Sequence, residues 1–521
     1  MYQFSGRLKT LAIALMVLGA VGVALGFYNA PKTLEDAKEI MAAQAAHGAH
    51  GDAHGETKHV AETHSEKKED AHTEENHHSE VIVEEVQEHT TETTTHAEET
   101  HSEEVKEVVE VEEVNHPIAV EAHGSDNAHG ASHDDAHAEH VFHQLQNRPW
   151  AAFYVALIFF LGVTLLVLAF YAIQRVAQAG WSIVLFRVME AITANLLPVS
   201  IILILVLVAS FMHMNHLFSW MTEGTFTPGH ENYDPIVDGK SWWINAPGWL
   251  IRSICYLVIW NGYRWFIRKG SLAEDTATTM STYKKNYNVS VVFLFLFMLT
   301  ESMAVWDWIM GLDPHWFSTL FGWYVLATFL VSALTTIAFV TIYLRSKGYL
   351  PKVNDSHIHD LAKYMFGFSV FWTYLWFAQF MLIWYADIPE ETTYYAMRFN
   401  EYKLPFLAMV VMNFVFPILL LINSDFKSIP WFVVMGGLVI LAGHYVDIFV
   451  MIMPATVGGQ WAIGIPEIGA ILFFLGLLIW TTFSAFAKAD PIAKGNPFLG
   501  ESEHFHYYNI EHRGEDADAH H

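Results

Sequence analysis

The sequence predicts an all-α integral membrane protein with ten transmembrane helices, and three observations support this class. Hydrophobic residues make up 53% of the chain and aromatic residues 15%, whereas charged residues make up only 16%. The formal net charge is nevertheless −27, so the charge must be segregated. Apolar stretches near the membrane-spanning length of about 20 residues follow one another with short polar loops between them.

The acidic charge is concentrated in one part of the chain. Residues 28–148 contain 29 Asp and Glu against 7 Lys and Arg, which leaves the remainder with a net charge of −5. The remainder is therefore an almost neutral and very apolar body. It has no basic face to neutralise phosphates, so the lipid bilayer, and not nucleic acid, is the expected partner.

The first predicted helix lies in residues 1–30. An apolar run at 11–28 follows Arg7 and Lys9, which fits either a cleaved signal peptide or a retained anchor. Tyr28 stands where a signal peptidase prefers a small residue. The pattern therefore favours an uncleaved transmembrane anchor.

Residues 31–147 are predicted to form a disordered, acidic, His-rich tether. Between about Ala42 and His143 the sequence is low in complexity and has no apolar periodicity that could build a core. Its eighteen histidines recur without a fixed frame, so composition supports loose Zn or Cu capture and no defined metal site.

Residues 148–490 are predicted to form a nine-helix membrane domain, followed by a cytoplasmic tail at 491–521. The helices are expected at about 150–174, 182–213, 247–268, 286–311, 315–345, 361–386, 403–424, 430–453 and 467–488. Loops rich in Lys and Arg alternate with loops that have few, and the positive-inside rule then places both termini in the cytoplasm and the tether outside.

Acidic residues inside predicted spans indicate a polar site or route. Glu301 lies near the middle of its helix, and Asp307 lies about 9 Å further along by helical rise. An Asp near the middle of a membrane helix costs roughly 2.5–3.5 kcal/mol on insertion scales, so both side chains are expected to face inward. Arg187 and Glu190, three residues apart, form either an interfacial ion pair or part of a proton path.

The turn after Asp307 has a simpler interpretation. Asp313 precedes Pro314, which is typical of a helix N-cap followed by proline at the first helical position. His315 would then lie in the first turn of the next helix, either binding a ligand or facing solvent.

A second polar pair lies in the span at 430–453. His444 and Asp447 are three residues apart on one face, and nearby glycines leave room for a close backbone or a flat ring. A His held by a carboxylate can exchange a proton with a quinone carbonyl, although a structural His–Asp pair is the competing interpretation.

The two acid-bearing helices share a pattern. Asp307 is followed seven residues later by Pro314, and Asp447 seven residues later by Pro454. This is what a parallel duplication of a four-helix bundle would leave, with bundles at about 150–311 and 315–453 and a site near their interface.

The cysteine content bears on redox cofactors. Cys255 is the single cysteine, so the chain has neither four cysteines for an iron–sulfur cluster nor a Cys-x-x-Cys-His attachment for a c-type haem. A thiolate-bound redox centre would have to lie on another subunit.

Several runs carry a resemblance to a known family. The segments 306–319, 377–391 and 443–447, together with the opening residues 1–10, resemble NrfD and polysulfide-reductase type membrane subunits. Within that family they are most similar to ActF-type subunits of bacterial alternative complex III, a quinol:cytochrome c oxidoreductase.

The resemblance implies a fold, a location and partners. It implies two four-helix bundles plus flanking helices in the bacterial inner membrane, with the tether in the periplasm. It also implies a paralogous NrfD-like subunit, an iron–sulfur subunit and c-type cytochromes as partners, a terminal oxidase as a further one, and quinone or menaquinone as the substrate. The family's buried acids match Glu301, Asp307 and Asp447.

The sequence thus leads to one main functional hypothesis and two alternatives. The main one is a non-autonomous subunit that binds quinol through Asp307, His444, Asp447 and His315 and conducts protons through Glu190, Arg187 and Glu301. The first alternative is a proton-conducting or scaffolding subunit without its own quinone site. The second is a cation transporter whose His-rich outer loop collects the ion.

Overall fold

The computed structural model describes residues 2–51 and 129–507, with side chains at 2–42 and 138–507. Within these ranges the chain consists of helices and connecting segments and contains no strand. Of the described residues, 2–41 and 134–507 belong to one compact unit.

The α-helices of the described ranges are numbered in chain order. They are α1 Gly6–Asn29, α2 Leu34–Gly51, α3 His129–Val176, α4 Phe186–Ile192, α5 Leu196–Phe211, α6 Pro235–Asp238, α7 Ala246–Glu274, α8 Ser281–Trp308, α9 Phe321–Ser346, α10 Asp355–Ala386, α11 Pro389–Asn400, α12 Lys403–Val410, α13 Phe416–Leu421, α14 Ser424–Lys427, α15 Pro430–Val457, α16 Ile465–Phe486 and α17 Leu499–Glu503.

The described ranges contain nine helical segments that are long and apolar enough to cross a membrane. They lie at Gly6–Asn29, Ala138–Val176, Gly180–Phe211, Ser281–Leu312, Phe321–Ser346, Asp355–Ala386, Lys403–Leu421, Pro430–Val457 and Ile465–Phe486. The chain is therefore an all-α, multi-pass membrane protein, as the sequence predicted. Helix α7, which has 29 residues and several arginines, is not one of the nine.

Hydrogen bonds show that α7 and α8 pack antiparallel. At one end, the Trp249 indole N–H donates to the Asp307 carbonyl oxygen at 2.9 Å. At the other end, the Asn286 amide donates to the Glu274 carboxylate at 2.5 Å. Residues near the start of α7 therefore lie beside the end of α8, which is where Asp307 is found.

The first helix packs on α16 through small residues. Gly19, Gly22 and Gly26 are buried on α1, and a Cβ atom built on Gly22 would lie 2.9 Å from the Gly469 Cα atom. Such close backbone approach is how membrane helices associate when apolar burial gives no advantage over lipid. The opposite face of α1 remains exposed and apolar, for example at Leu18 and Val21.

The span at Gly180–Phe211 is not one uniform α-helix. A 3₁₀ segment at Gly180–Leu185 leads into α4, and a second one at Thr193–Asn195 separates α4 from α5. Pro198 follows this break and cannot donate a backbone hydrogen bond to the preceding turn, which gives the local change of helix type a physical cause.

The helix-cap interpretation of Asp313 was wrong. Asp313 ends a 3₁₀ turn at Met310–Leu312, and α9 begins at Phe321 with Leu320 at its N-cap position. His315 therefore lies in the connection between α8 and α9 and not in a first helical turn. Sequence reasoning placed the helix start six residues too early because Asp-Pro serves turns as well as helix starts.

The prediction of disorder does not hold for the two ends of the tether. Residues 34–51 are helical, and α3 begins at His129. Ala37 of α2 packs with Val141 and Leu145 of α3, so apolar residues at these ends do bury one another. The rest of the predicted tether lies outside the described residues.

The beginning of the predicted cytoplasmic tail packs against the membrane helices. Ser502 is fully buried, and its hydroxyl donates to the Trp181 carbonyl oxygen at 2.7 Å. The Asn354 amide donates to the Phe505 carbonyl oxygen at 2.7 Å, and the Tyr507 hydroxyl donates to the Asp360 carboxylate at 2.9 Å. Residues 502–507 thus connect the start of the Gly180–Phe211 span to the start of α10.

Candidate functional site

Asp307 is held by two side chains of α7. Arg252 donates from Nη2 to Asp307 Oδ1 at 2.7 Å and from Nε to Oδ2 at 3.0 Å. The Tyr256 hydroxyl donates to Oδ2 at 2.9 Å. The carboxylate is 3% exposed and faces inward, as predicted for an acid in a membrane helix.

Sequence reasoning missed Arg252 and Tyr256, although a signal was available. Arg252 lies inside the predicted span at 247–268, and a charged residue in such a span requires a partner for the same reason that Asp307 does. Tyr256 follows one helical turn later and therefore lies on the same face. The contact between this face of α7 and the end of α8 could not be predicted from the sequence.

A cavity of about 370 Å³ lies beside this ion pair. Its size is within the range of small-molecule sites, roughly 300–1,000 Å³. Six tryptophans line it, together with Arg252, Asp307, Lys240 and Asp313. The tryptophans are Trp220, Trp242, Trp243, Trp249, Trp306 and Trp316. We call this space the tryptophan cavity.

The polar groups of the tryptophan cavity have a definite arrangement. The Arg252 guanidinium lies 4.2 Å from the centre of the Trp243 ring, so it is fixed by stacking as well as by Asp307. The Trp306 indole N–H is buried and has no acceptor among the described residues. Lys240 donates to the Pro314 carbonyl oxygen at 2.8 Å. Burial lowers the pKa of Lys240, against the opposing effect of Asp313.

His315 faces a different space. It contacts Asp234, and both line a neighbouring cavity of about 480 Å³. The His315 side chain is 57% exposed. Burial acts to raise the pKa of Asp234, but the hydrogen bonds from His315 and from the Val237 and Ile236 amides outweigh it and lower that pKa. His315 therefore forms an exposed pair with Asp234 beside the tryptophan cavity and does not line that cavity.

Asp447 lies in a fully enclosed polar cluster of the second half of the domain. Thr328 donates to its Oδ2 at 2.7 Å, the Trp372 indole N–H donates to the same oxygen at 2.9 Å, and Tyr324 donates to Oδ1. Neither Asp447 nor His444 has any exposed surface. Three donors from α9 and α10 thus surround the carboxylate.

His444 is close to Asp447 without a hydrogen bond. His444 Nδ1 lies 3.8 Å from Asp447 Oδ2, and both ring nitrogens lack a hydrogen-bond partner among the described residues. The Trp372 ring packs edge-on against the imidazole with 5.4 Å between the ring centres. The predicted pair therefore exists as a contact between neighbouring side chains.

The glycines of α15 are covered by side chains of the same protein. A Cβ atom on Gly436 would meet Leu420, one on Gly437 would meet Phe339, and one on Gly443 would meet Asn413. Asn413 lies in a π-helical segment at Val411–Val415. The space beside these glycines is thus occupied by side chains of the same protein, one of which is the aromatic ring of Phe339.

The structure does not bring all four predicted quinone-binding residues together. Asp307 is bonded to α7, whereas Asp447 is bonded to α9 and α10, and the two carboxylates share no partner among the described residues. Of the four, Asp307 alone lines the tryptophan cavity. Asp307 lies at the wall of the tryptophan cavity, whereas Asp447 lies in the enclosed cluster.

Glu301 lies deeper along α8 than Asp307. It is 3% exposed, and its Oε1 atom has no hydrogen-bond partner among the described residues. A void of about 20 Å³ beside it is lined mostly by apolar side chains, including Trp260 and Phe329. An ionised carboxylate there would lack both solvent and a counter-ion, at a cost of several kcal/mol.

Arg187 and Glu190 belong to an extended network of charges. Arg187 donates to Glu190 at 2.7 Å and contacts Asp275, and Glu190 also accepts from Arg268 and from the Tyr171 hydroxyl. The number of partners indicates that Arg187 and Glu190 form a structural ion pair, because a buried ion pair is stable only when its other donors and acceptors are also hydrogen-bonded.

A polar route from this network towards Glu301 is interrupted. Ser290, which exchanges a hydrogen bond with Tyr263 at 2.8 Å, lies eleven residues before Glu301, or about 16 Å by helical rise. The buried face of α8 between them carries Phe293 and Phe297 before Thr300, and Phe293 stacks on Tyr263. Proton movement along this face would need groups other than these side chains.

No protein-family model matches this chain, and neither does any curated protein. The fold and the site define it as a multi-pass α-helical membrane protein with a largely apolar, tryptophan-lined cavity where the start of α7 meets the end of α8. The similarity to NrfD-type subunits stays a prediction from the sequence.

Proposed function

We propose that the chain is a membrane subunit of a respiratory complex that oxidises quinol, and that quinol binds in the tryptophan cavity. The observation that carries this proposal is the combination of a flat-walled aromatic cavity with a buried Asp307 carboxylate at its wall. Aromatic surfaces suit a quinol ring, and a carboxylate suits the hydroxyl hydrogen that the ring must release.

The arrangement of Asp307 supports a role in accepting that hydrogen. Arg252 and Tyr256 hold the carboxylate in one orientation, so a quinol O–H in the cavity could approach an acceptor that is already positioned. Oxidation to quinone releases two protons and two electrons. The electrons would pass to an iron–sulfur cluster or c-type haem of a partner subunit, because the single cysteine of this chain can hold neither.

The finer architecture is part of the proposal. Helix α7 would be the tenth transmembrane helix, since its 29 residues would extend about 43 Å and hydrogen-bond to both ends of α8. The helices from α3 to α8 and from α9 to α15 would form two four-helix bundles, with α1 and α16 beside them.

The proposed location follows the distribution of basic residues. Both termini would lie in the cytoplasm of a bacterium and the His-rich tether in the periplasm, which puts the tryptophan cavity near the periplasmic side of the inner membrane. Partner subunits that carry iron–sulfur clusters or c-type haems would dock on that side, next to a paralogous membrane subunit.

Replacement of Asp307 tests the proposal. We expect quinol oxidation per assembled complex to fall about tenfold or more in Asp307→Asn, because the amide keeps the shape and loses the proton acceptor. Quinol:acceptor turnover and the amount of co-purified quinone are measured on the whole complex. The matched control is Asp387→Asn, an exposed acid in a left-handed turn that asparagine tolerates.

The outcome that contradicts the proposal is clear. If Asp307→Asn assembles and keeps both wild-type turnover and wild-type quinone content, quinol does not react at this carboxylate. If the Asp387→Asn control also loses turnover and bound quinone, the two measurements report assembly of the complex and not the role of Asp307.

A second function, proton conduction without a quinone site on this chain, is favoured by Glu301. Its unpartnered oxygen deep in α8 is suited to taking up and releasing a proton. If this function is correct, Glu301→Gln alters proton translocation while quinol oxidation continues, as measured with the complex in sealed vesicles. Unchanged proton translocation in the assembled variant would count against it.

A further inference from the structure

Arg398 is a buried arginine with an incomplete set of partners. It lies in α11 and is 4% exposed. Nη1 donates to the Tyr394 carbonyl oxygen at 2.7 Å, and Nη2 lies 3.4 Å from the Met451 carbonyl oxygen. Its Nε atom has no acceptor among the described residues. A guanidinium has five N–H donors, so several remain available.

No carboxylate of the described residues forms an ion pair with Arg398. The other buried arginines of the described residues differ in this respect, since Arg175 holds Glu274 and Arg187 holds Glu190. A buried cation without a counter-ion is costly, and two carbonyl dipoles compensate a full charge incompletely. The Tyr394 ring, 3.2 Å from the guanidinium carbon, contributes only a quadrupole.

Arg398 lines a cavity of about 260 Å³. This is room for roughly nine water molecules at about 30 Å³ each. The wall also includes Trp316, whose indole N–H is buried and has no acceptor among the described residues. The Arg398 Nε–H and the Trp316 indole N–H, both without an acceptor among the described residues, thus belong to residues that line the same cavity.

The acid of this wall does not form an ion pair with Arg398. Asp313 lines the cavity but forms no ion pair with Arg398. Asp313 also lines the tryptophan cavity, where Lys240 lies, and its charge acts on the Lys240 ammonium. Arg398 and Asp313 are thus the charged residues of this wall, and no ion pair joins them.

We propose that this cavity is an oxyanion-binding site, in which Arg398 and Trp316 hold a phosphate or carboxylate group. Arginine binds such groups through parallel N–H donors, and an anion supplies the charge that a neutral carbonyl cannot. Two sources have this chemistry, the headgroup of an anionic phospholipid and a small soluble oxyanion. The site adjoins the tryptophan cavity through Met310, Asp313 and Trp316 but does not depend on quinol binding there.

The test uses the whole complex purified in mild detergent. Bound phospholipid is identified by native mass spectrometry after reconstitution with phosphatidylglycerol, and the unfolding temperature is measured with and without inorganic phosphate. The variants are Arg398→Gln, which removes the charge, and Trp316→Phe, which removes one N–H donor and keeps an aromatic ring.

The matched control is Arg345→Gln. Arg345 is partly exposed and pairs with Asp355 at the other end of α9, 24 residues and about 36 Å from Phe321, which lines the cavity. This variant should bind phosphatidylglycerol or phosphate as the wild type does.

Two results would support the proposal and distinguish the sources. Retained phosphatidylglycerol in the wild type that falls severalfold in both variants identifies a lipid headgroup. A rise of about 2 °C or more in unfolding temperature with phosphate, lost in both variants, identifies a soluble oxyanion.

The proposal is overturned if wild type and Trp316→Phe show the same lipid retention and the same response to phosphate. Trp316→Phe decides the matter on its own if Arg398→Gln fails to assemble, because it keeps the charge of Arg398 and an aromatic ring at position 316.

Discussion

At the scale of single residues, the two predicted acids in comparable sequence positions have different surroundings. Asp307 is bound by an arginine and a tyrosine at the wall of a cavity, whereas Asp447 is enclosed by Tyr324, Thr328 and Trp372. A carboxylate that lines a cavity in a fixed orientation can reach a bound ligand. A carboxylate enclosed by donors of its own protein stabilises the packing of the helices.

Removing the Tyr256 hydroxyl should remove one of the three hydrogen bonds that Asp307 accepts and leave the tryptophan cavity in place. A hydrogen bond to a charged group contributes roughly 1.5–3 kcal/mol, and Arg252 keeps two bonds to the same carboxylate, so we expect a loss of about 1.5 kcal/mol. Tyr256→Phe should also slow quinol turnover severalfold. Thermal unfolding and turnover of the complex are measured, with Tyr374→Phe, an exposed tyrosine on α10, as the control.

The same measurements can contradict the assignment of Tyr256. If Tyr256→Phe and Tyr374→Phe are indistinguishable in both stability and turnover, the hydroxyl does not position Asp307. An effect on stability alone would limit Tyr256 to a structural role.

Asp447→Asn should lower stability more than activity. The amide presents an N–H₂ group to a site that supplies three donors, so at least one donor loses its acceptor at a cost of about 1–3 kcal/mol. We expect a lower unfolding temperature and less assembled complex, with turnover per assembled complex close to wild type. A loss of turnover in fully assembled, stable complex would instead assign Asp447 a direct part in the reaction.

At the scale of elements, the packing of α1 on α16 depends on glycine. Gly22 and Gly469 approach so closely that a side chain at either position would meet the backbone of the other helix. Because lipid is as apolar as the helix surfaces, close van der Waals contact is what holds such a pair together.

A bulky residue at Gly22 should therefore separate α1 from α16. Gly22→Val is expected to cost about 1–3 kcal/mol through overpacking, seen as a lower unfolding temperature and faster proteolysis near the N-terminus. Gly6→Val is the control in the same helix, since a Cβ atom there meets nothing within 4 Å. Equal stability of the two variants would show that α1 does not need this contact.

At the scale of the whole molecule, the residues after α16 join distant helices. Ser502 bonds near the start of the Gly180–Phe211 span, and Phe505 and Tyr507 bond near the start of α10. The Lys363 ammonium lies 4.1 Å from the centre of the Tyr507 ring and covers this contact. A segment that sequence patterns place in the tail is thus part of the folded domain.

Truncation separates the packed part of the tail from the remainder. Deleting residues 498–521 should lower the unfolding temperature of the complex by several degrees, because it exposes the groups that Ser502 and Tyr507 satisfy. Deleting residues 508–521, which lie outside the described residues, is the matched control and should have little effect. Equal stability of both truncated chains would contradict a structural role for residues 498–507.

Much of the fold was predictable because it depends on the sequence locally. Long apolar runs, the segregation of charge and the cost of acids in lipid predicted an all-α membrane protein and an inward-facing Asp307 without any knowledge of neighbours. Helix periodicity also put His444 and Asp447 on one face. These properties follow from the bilayer and the helix, which act on each segment separately.

The tertiary structure decided what each polar face meets. It paired Asp307 with Arg252 and Tyr256, enclosed Asp447 among donors from two other helices, and filled the space at Gly437 with Phe339. It also put His315 into a loop and left Arg398 without an ion pair among the described residues. A sequence fixes the direction in which a side chain points from its own helix, but the partner in that direction depends on how all helices pack.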